Sequence, residues 1–304
     1  MCSVNCHNLP TEFRSLSPYD AKVNMDAEYW IAINLQRYVA FIATILLLAL
    51  CATSTAGASA AISRKAQPCD AETLATVGKS MGQQGFSPPD VDDDGPVIAA
   101  ACKALPNDKR IILVAVAYQL PGEQADDKKG LLIAMLDTQV GKLIHSYRTT
   151  IEEDGVTHLG SDSLWLDTAP YLIAPDKRAF GLVFTSNQPA PHGVEGWGND
   201  ELILFIPDAD ALQPIFQLVL SWWQQIGEGP SLTHSYTVGV GDRASHGRKD
   251  LIVNETIEIE AADGKVSSEK RHHMVRFNGS VYTTTEQWYS DTFGSLLGTL
   301  GHGT

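Results

Sequence analysis

The pattern of hydrophobic and polar residues predicts β-strands over most of the chain after residue 110. Short apolar or alternating runs are separated by turn-rich segments. The glycines of Asp263-Gly264 and Asn278-Gly279 supply the positive φ that tight hairpins need. Because no helical periodicity interrupts the runs, they predict an antiparallel all-β fold. The predicted strands are 111–118, 131–137, 142–150, 163–168, 179–186, 201–207, 215–223, 232–240, 251–261 and 265–277, with a last strand beginning at Ser280.

The apolar faces of these strands indicate how the sheets pack. In residues 111–118 every residue except Tyr118 is aliphatic, and an antiparallel strand that is apolar on both faces must be covered on both. Later strands alternate, as in residues 256–260, and therefore have one buried and one solvated face. Since no helices lie between the strands, other sheets must supply the cover. The pattern predicts an irregular β-propeller, and the alternative is a layered β-sandwich.

One short helix is predicted before the strands. Asp70 is a suitable N-cap for a helix over residues 71–81, in which apolar residues recur at helical spacing. An acidic loop rich in glycine and proline follows at residues 85–96. We therefore expect a helix-plus-loop segment, 61–109, that forms one structural unit with an all-β domain, 110–304.

The only strongly apolar run, residues 39–52, predicts a signal peptide. Its fourteen residues suit a signal-peptide core and are fewer than the roughly 20 that a membrane-spanning helix needs. Residues 58–60 read Ala-Ser-Ala, so we expect residues 1–60 to be removed as a leader. The mature chain is then periplasmic or secreted and has no membrane span. The alternative is a membrane anchor formed by an uncleaved segment, 39–62.

Two cysteines, Cys69 and Cys102, remain after this cleavage. A pair of cysteines in an exported chain favours one disulfide over a metal site, and the alternative is two free thiols. The disulfide would pin the helix and the acidic loop to the residues that follow Cys102.

The charge of the chain limits the classes of partner. Its formal net charge is −14, which argues against nucleic acids and anionic membranes because both are bound by basic surfaces. The same charge favours a cationic protein partner.

The acidic loop contains the opening of a calcium-binding motif. Asp90, Asp92 and Asp94 precede Gly95 in the order D-x-D-x-D-G, which directs alternate carboxylates at a hard cation. Ala101 stands where an EF-hand has its bidentate Glu, so other groups would have to complete the ligand set. These three aspartates are the predicted Ca²⁺ ligands, and the alternative is a solvated acidic turn.

The sequence gives little support for serine catalysis. Ser267 and Lys270 spell S-x-x-K but are three residues apart on a predicted strand, which places them on opposite faces. His272 and His273 are adjacent and also point to opposite faces. The sequence therefore predicts no catalytic residue and favours a binding function.

Residues 270–273 and Arg276 form the one basic run of this acidic chain. They are able to present cations to a partner's carboxylates. The alternative is cross-strand pairing within the hairpin, because the preceding strand carries Glu255, Glu258 and Glu260.

Several phrases resemble bacterial envelope proteins related to periplasmic inhibitors of invertebrate-type lysozyme. They are ACKALP at 101–106, LDTAPY at 166–171, RAFG at 178–181 and RFNGSVY at 276–282. The resemblance implies a propeller-like or sandwich-like periplasmic protein that plugs the cleft of a peptidoglycan hydrolase. It also implies kinship with immunity proteins that guard against secreted wall-degrading effectors.

The inhibitors carry a Ser-Gly-x-x-Tyr loop, and in this chain Asn278 stands in place of its first serine. On this basis Arg276, Asn278, Gly279, Ser280 and Tyr282 are the predicted partner-binding residues. Sequence parity places Ser280, Tyr282 and Arg276 on one face. The alternative for Tyr282 is that its side chain packs into the sheet.

The predicted function is therefore that of a non-catalytic periplasmic binding protein, specifically an inhibitor or immunity protein whose partner is a cationic cell-wall hydrolase (a muramidase). One alternative is a carbohydrate- or envelope-binding module that uses Trp223 or Trp197. Another is a hydrolase whose site is assembled from residues that are distant in sequence.

Overall fold

The computed structural model describes residues 66–89, 95–121, 128–188, 196–227 and 229–283. All of them belong to the unit Ser59–Thr304. The described residues form one helix and twelve strands, so the all-β prediction is confirmed. The helix is α1 (Ala71–Met81), and the strands are β1 (Val97–Leu105), β2 (Asp108–Gln119), β3 (Lys128–Asp137), β4 (Lys142–Glu152), β5 (Leu164–Ala174), β6 (Lys177–Phe184), β7 (Gly196–Asp208), β8 (Ala211–Gln225), β9 (Ser231–Ser245), β10 (Arg248–Glu260), β11 (Val266–Phe277) and β12 (Tyr282–Thr283).

The strands form one sheet in the order β1-β2-β3-β4-β8-β9-β10-β11-β12, with β5, β6 and β7 joined to it through β8. Neighbouring strands pair antiparallel except β4 and β8, which meet in parallel at Ser146 and Ala211. The expectation of a purely antiparallel sheet is therefore wrong at this point. The chain reverses its direction at each of the four connections between β4 and β8. Because the number of reversals is even, β8 runs in the same direction as β4.

Strands β2, β3 and β6 and residues 201–206 of β7 are buried on both faces, as their apolar composition predicts. One hydrophobic cluster lies between β1–β4 and β5–β7 and includes Leu113, Ile133 and Phe205. A second cluster joins the opposite face of β5–β7 to β8–β12 and includes Leu204 and Val253. Strands β5–β7 therefore separate two hydrophobic cores.

The third hydrophobic cluster covers the outer face of β2 and β3. It is formed by Leu74 and Val77 of α1, by Phe86, and by strand residues such as Val114 and Leu132. The expectation that only another sheet covers such strands is therefore wrong, because a single amphipathic helix and the segment after it are enough to cover this face.

Helix α1 has the predicted bounds because its end signals are local. The Asp70 carboxylate accepts hydrogen bonds from the Thr73 backbone N–H (2.7 Å) and hydroxyl (2.9 Å). Gly82 ends the helix in the left-handed conformation with φ of 72°. The predicted disulfide is also present: Cys69 precedes the helix and is bonded to Cys102 of β1 with an S–S distance of 2.01 Å.

Strand β1 was not among the predicted strands, although it lies within the segment 61–109. Its sequence, VIAAACKAL, is rich in alanine, which has low strand propensity. Its strand conformation is instead supported by pairing with β2 and by burial of Ala99 and Ala101 in the first cluster. In the described part of the chain, no helix combines the length and apolar character that a membrane crossing requires. The predicted signal segment, 39–52, lies outside the described residues.

Candidate functional site

The loop that joins β11 to β12 is a closed, hydrogen-bonded turn. The Asn278 backbone N–H donates to the Val281 carbonyl (3.0 Å), and the Asn278 side-chain Oδ1 accepts from the backbone N–H groups of Ser280 (2.9 Å) and Val281 (3.0 Å). Gly279 has a φ of 106°, a conformation that suits glycine because it lacks a Cβ. Asn278 therefore shapes the turn, and its carboxamide oxygen is already engaged within it.

Two buried aromatic rings anchor this turn. Phe277 and Tyr282 pair across β11 and β12, are each 3% exposed, and have ring centroids 5.2 Å apart. The Tyr282 hydroxyl donates a hydrogen bond to the Lys249 carbonyl oxygen (2.6 Å). Burial raises the pKa of Tyr282 to about 12, and the nearby Arg248 opposes this shift. The burial of Tyr282 agrees with the alternative in which its side chain packs into the sheet.

The exposed donors of the loop are Arg276 and Ser280. The β11–β12 register pairs Arg276 with Thr283 and Phe277 with Tyr282, so Arg276 lies on the face opposite to Tyr282. Sequence parity predicts one shared face for them, and this prediction is wrong because the four-residue loop 278–281 shifts the pairing by one position. Neither the Arg276 guanidinium nor the Ser280 hydroxyl has a hydrogen-bond partner among the residues that the structure describes.

A buried carboxylate, Glu255, lies farther along the β10–β11 hairpin. It is 3% exposed, and its two oxygens accept hydrogen bonds from side chains on both neighbouring strands. His234 Nδ1 (2.8 Å) and the Tyr236 hydroxyl (3.0 Å) contact Oε1 from β9. His273 Nε2 contacts Oε2 from β11 at 2.8 Å. We refer to these four residues as the Glu255 cluster.

The Glu255 cluster stabilises a negative charge inside the protein. Burial alone raises the pKa of Glu255, but hydrogen bonds from His234, His273 and Tyr236 outweigh it and lower the pKa below its ordinary value. Burial, followed by the charge of Glu255, raises the pKa of Tyr236. Both effects keep Glu255 ionised and Tyr236 protonated at neutral pH.

Sequence reasoning identified only part of this arrangement. The adjacent histidines do point to opposite faces, because His273 contacts Glu255 whereas His272 contacts Asn254 (2.7 Å). Cross-strand pairing with an acidic residue is found for His273, while Arg271 forms an ion pair with Glu269 of its own strand (2.8 Å). The sequence feature that could have indicated this cluster is the alternation of β10. Glu255 lies on the same face of the strand as the apolar residues Val253 and Ile257.

The phrase LDTAPY contains a bulge in β5, and the phrase RAFG lies on the neighbouring strand β6. The pairing of β5 with β6 shifts register between Asp167 and Tyr171. The Tyr171 hydroxyl donates to the Asp167 carboxylate at 2.5 Å, and Arg178 Nη2 donates to the Thr168 carbonyl at 2.6 Å. Burial raises the pKa of Tyr171, and the charge of Asp167 adds to the shift. These contacts give the resembling phrases a folding role.

The predicted calcium ligands Asp90, Asp92 and Asp94 lie in residues 90–94, outside the described part of the chain. Within the described ranges, no group of three or more His, Cys, Asp or Glu side chains is arranged to hold a metal ion.

Comparison with known proteins returned no family model, no curated protein and no solved structure that matches this chain. The class of protein is therefore defined by its own geometry. It is a mostly β protein with a rigid, donor-bearing turn and a buried carboxylate in one sheet.

Proposed function

We propose that this chain is a non-catalytic, exported binding protein that inhibits a peptidoglycan hydrolase, as a muramidase inhibitor or immunity protein. The observation that supports the proposal is the rigid turn at residues 278–281, where Ser280 of the turn and Arg276 of the adjoining β11 are exposed donors beside buried anchors. A turn that is ordered before binding loses little conformational entropy when it enters a cleft.

The chemistry of the donors suits a muramidase cleft. Such enzymes act with a pair of carboxylic side chains that flank the scissile glycosidic bond. The Arg276 guanidinium forms a bidentate, charge-assisted pair with a carboxylate, and the Ser280 hydroxyl donates a further hydrogen bond. Occupation of the catalytic carboxylates would exclude the substrate.

The net charge of the chain favours the encounter with such an enzyme. A formal charge of −14 attracts a cationic cell-wall hydrolase over a long range and raises the association rate. The local positive charge at Arg276 then enters the acidic cleft. The partner is therefore cationic overall and acidic only at its catalytic site.

The proposal also covers the arrangement of the sheets, the leader and the calcium site. The separation of two hydrophobic cores by β5–β7 supports a layered β-sandwich over a propeller. A leader at 1–60 would place the protein in the periplasm or outside the cell, and Ca²⁺ held by Asp90, Asp92 and Asp94 would order the acidic loop.

Arg276→Ala is expected to weaken binding to an inhibited muramidase by about tenfold or more, since arginine is a frequent hot-spot residue. The measurement is the inhibition constant against invertebrate-type lysozymes and secreted bacterial muramidases. Lys109→Ala is the control, because Lys109 is an exposed cation on the β1–β2 hairpin, away from this turn. The proposal would be contradicted if the Arg276→Ala and Lys109→Ala variants had the same inhibition constant. It would also be contradicted if the wild-type chain inhibited none of these muramidases.

Tyr282→Phe is expected to lower the free energy of unfolding by about 1 kcal/mol, because it removes the part-buried hydrogen bond to the Lys249 carbonyl. Affinity for the muramidase should remain within twofold, since Tyr282 is an anchor of the turn and does not contact the partner. Urea denaturation and inhibition are measured on the same preparations. A large loss of affinity with unchanged stability would show that the tyrosine hydroxyl contacts the enzyme.

A further inference from the structure

Two tryptophans oppose each other on the outer face of β7 and β8. Trp197 of β7 pairs directly with Trp223 of β8, and both are half-buried. The adjacent Trp222 points to the other face, where it packs against glycines: a Cβ on Gly196 would lie 2.7 Å from its Cζ2 atom and one on Gly198 would lie 2.8 Å from its Cε3 atom. Trp222 is therefore a packing residue, whereas the half-buried Trp197 and Trp223 share the opposite face of the two strands.

Hydroxyl groups continue this outer face across the next strands. Trp223 pairs with Thr233 of β9, and the adjacent row pairs Ser221 with Ser235 and Ser235 with Thr256 of β10. The hydroxyls of Ser221, Thr233, Ser235 and Thr256 are half-buried or exposed, and they make no hydrogen bond within the part of the chain that the structure describes. The strands β7 to β11 make the face roughly 19 Å wide, from four inter-strand spacings. We call it the Trp-hydroxyl face.

We propose that the Trp-hydroxyl face binds a saccharide chain. The apolar C–H face of a pyranose ring stacks on an indole, while its hydroxyls exchange hydrogen bonds with serine and threonine, which both donate and accept. Two opposed indoles followed by a row of free hydroxyls match a ligand that is apolar above and below its ring and polar around it.

A protein partner fits this face less well than a saccharide. The centre of a protein interface is depleted in polar groups that lack partners, because a hydroxyl buried without a hydrogen bond loses its interaction with water and gains nothing in return. Here the indoles are flanked by the hydroxyls of Ser221, Thr233 and Ser235 and not by apolar side chains. A ligand that is rich in hydroxyls itself satisfies these groups.

The Trp-hydroxyl face is distinct from the proposed inhibitory turn. It reaches β11 at Ser268, which pairs with Glu258 in the row of Trp223 and Thr233. Eight residues along β11 separate Ser268 from Arg276, which corresponds to roughly 26 Å of strand. The two sites can therefore be tested independently with single substitutions.

The test measures binding of the full chain to soluble hexasaccharides of N-acetylglucosamine and of glucose, by calorimetry and by tryptophan fluorescence. We expect saturable binding to at least one of them and a loss of about tenfold in affinity in both Trp223→Ala and Trp197→Ala, as for an aromatic hot spot. Trp223→Tyr retains a stacking ring and should lose less affinity than Trp223→Ala. Arg276→Ala is the control and should bind the saccharide like the wild-type chain.

Three results would overturn the inference. They are the absence of saccharide binding at millimolar concentration, unchanged affinity in folded Trp223→Ala protein, and loss of muramidase inhibition in that variant while saccharide binding is retained. The last result would assign the two indoles to a protein interface. Loss of inhibition on Arg276→Ala alone concerns only the proposed function and leaves the saccharide site intact.

Discussion

Replacing Cys69 and Cys102 together by serine is expected to lower the free energy of unfolding by about 3–4 kcal/mol. The disulfide closes a loop over a sequence separation of 33 residues, so its removal increases the conformational entropy of the unfolded chain. It also ties the segment before α1 to β1. Cys69, in that segment, is 7% exposed and belongs to the third hydrophobic cluster. Urea denaturation of the wild-type and double-serine chains measures the difference.

The matched control for the disulfide prediction is reduction. Dithiothreitol should destabilise the wild-type protein to the level of the double-serine variant and should have no effect on the variant itself. A loss of this size corresponds to a melting temperature lower by about 10 °C for a domain of this size. Equal stability of the oxidised and reduced wild-type protein would contradict the prediction.

Glu255→Ala is expected to lower the free energy of unfolding by about 3 kcal/mol, because it removes the acceptor of one buried hydroxyl and two half-buried imidazole donors. His234, Tyr236 and His273 all donate to this carboxylate, and Tyr236 is only 4% exposed. Water cannot replace the acceptor fully at such a buried position. Glu258→Ala is the control, since Glu258 is exposed on the same strand and should change stability little.

The pH dependence of stability tests the charge of Glu255 separately from its packing. The pKa of Glu255 in the folded protein lies below its ordinary value of 4.5, so this group contributes stability above pH 4.5. The contribution is lost as the pH falls from about 4.5 through the folded-state pKa. Glu255→Gln keeps the shape but not the charge, and it should show a shallower loss of stability over this range. Parallel curves for the two proteins would show that folding does not lower the pKa of Glu255.

The features that were predictable from the sequence have local causes. Helix α1 has its predicted bounds because Asp70 and the αL residue Gly82 act within one turn of the helix ends. The strands β2 to β11 were recognised because side-chain alternation and apolar runs are properties of neighbouring residues. The Cys69–Cys102 bond was predictable because the predicted removal of residues 1–60 leaves only these two of the five cysteines.

The candidate site was predictable only in part. Arg276 and Ser280 were identified from their position beside the turn, and both are exposed. The burial of Tyr282 and its separation from Arg276 depend on the register Phe277–Tyr282, which a four-residue loop sets and sequence parity does not reveal. The register of the β10–β11 hairpin likewise determines which histidine reaches Glu255.

The sequence by itself thus determined the helix, the strands and the disulfide, whereas the tertiary structure decided how the faces of these elements meet. Cover of β2 and β3 by α1, burial of the alanine-rich β1 in the first cluster, and contact of both neighbouring strands with Glu255 all depend on tertiary packing and strand register. The physical reason is that periodicity fixes which face of an element is apolar. Only the free energy of packing the whole chain selects the partner of that face.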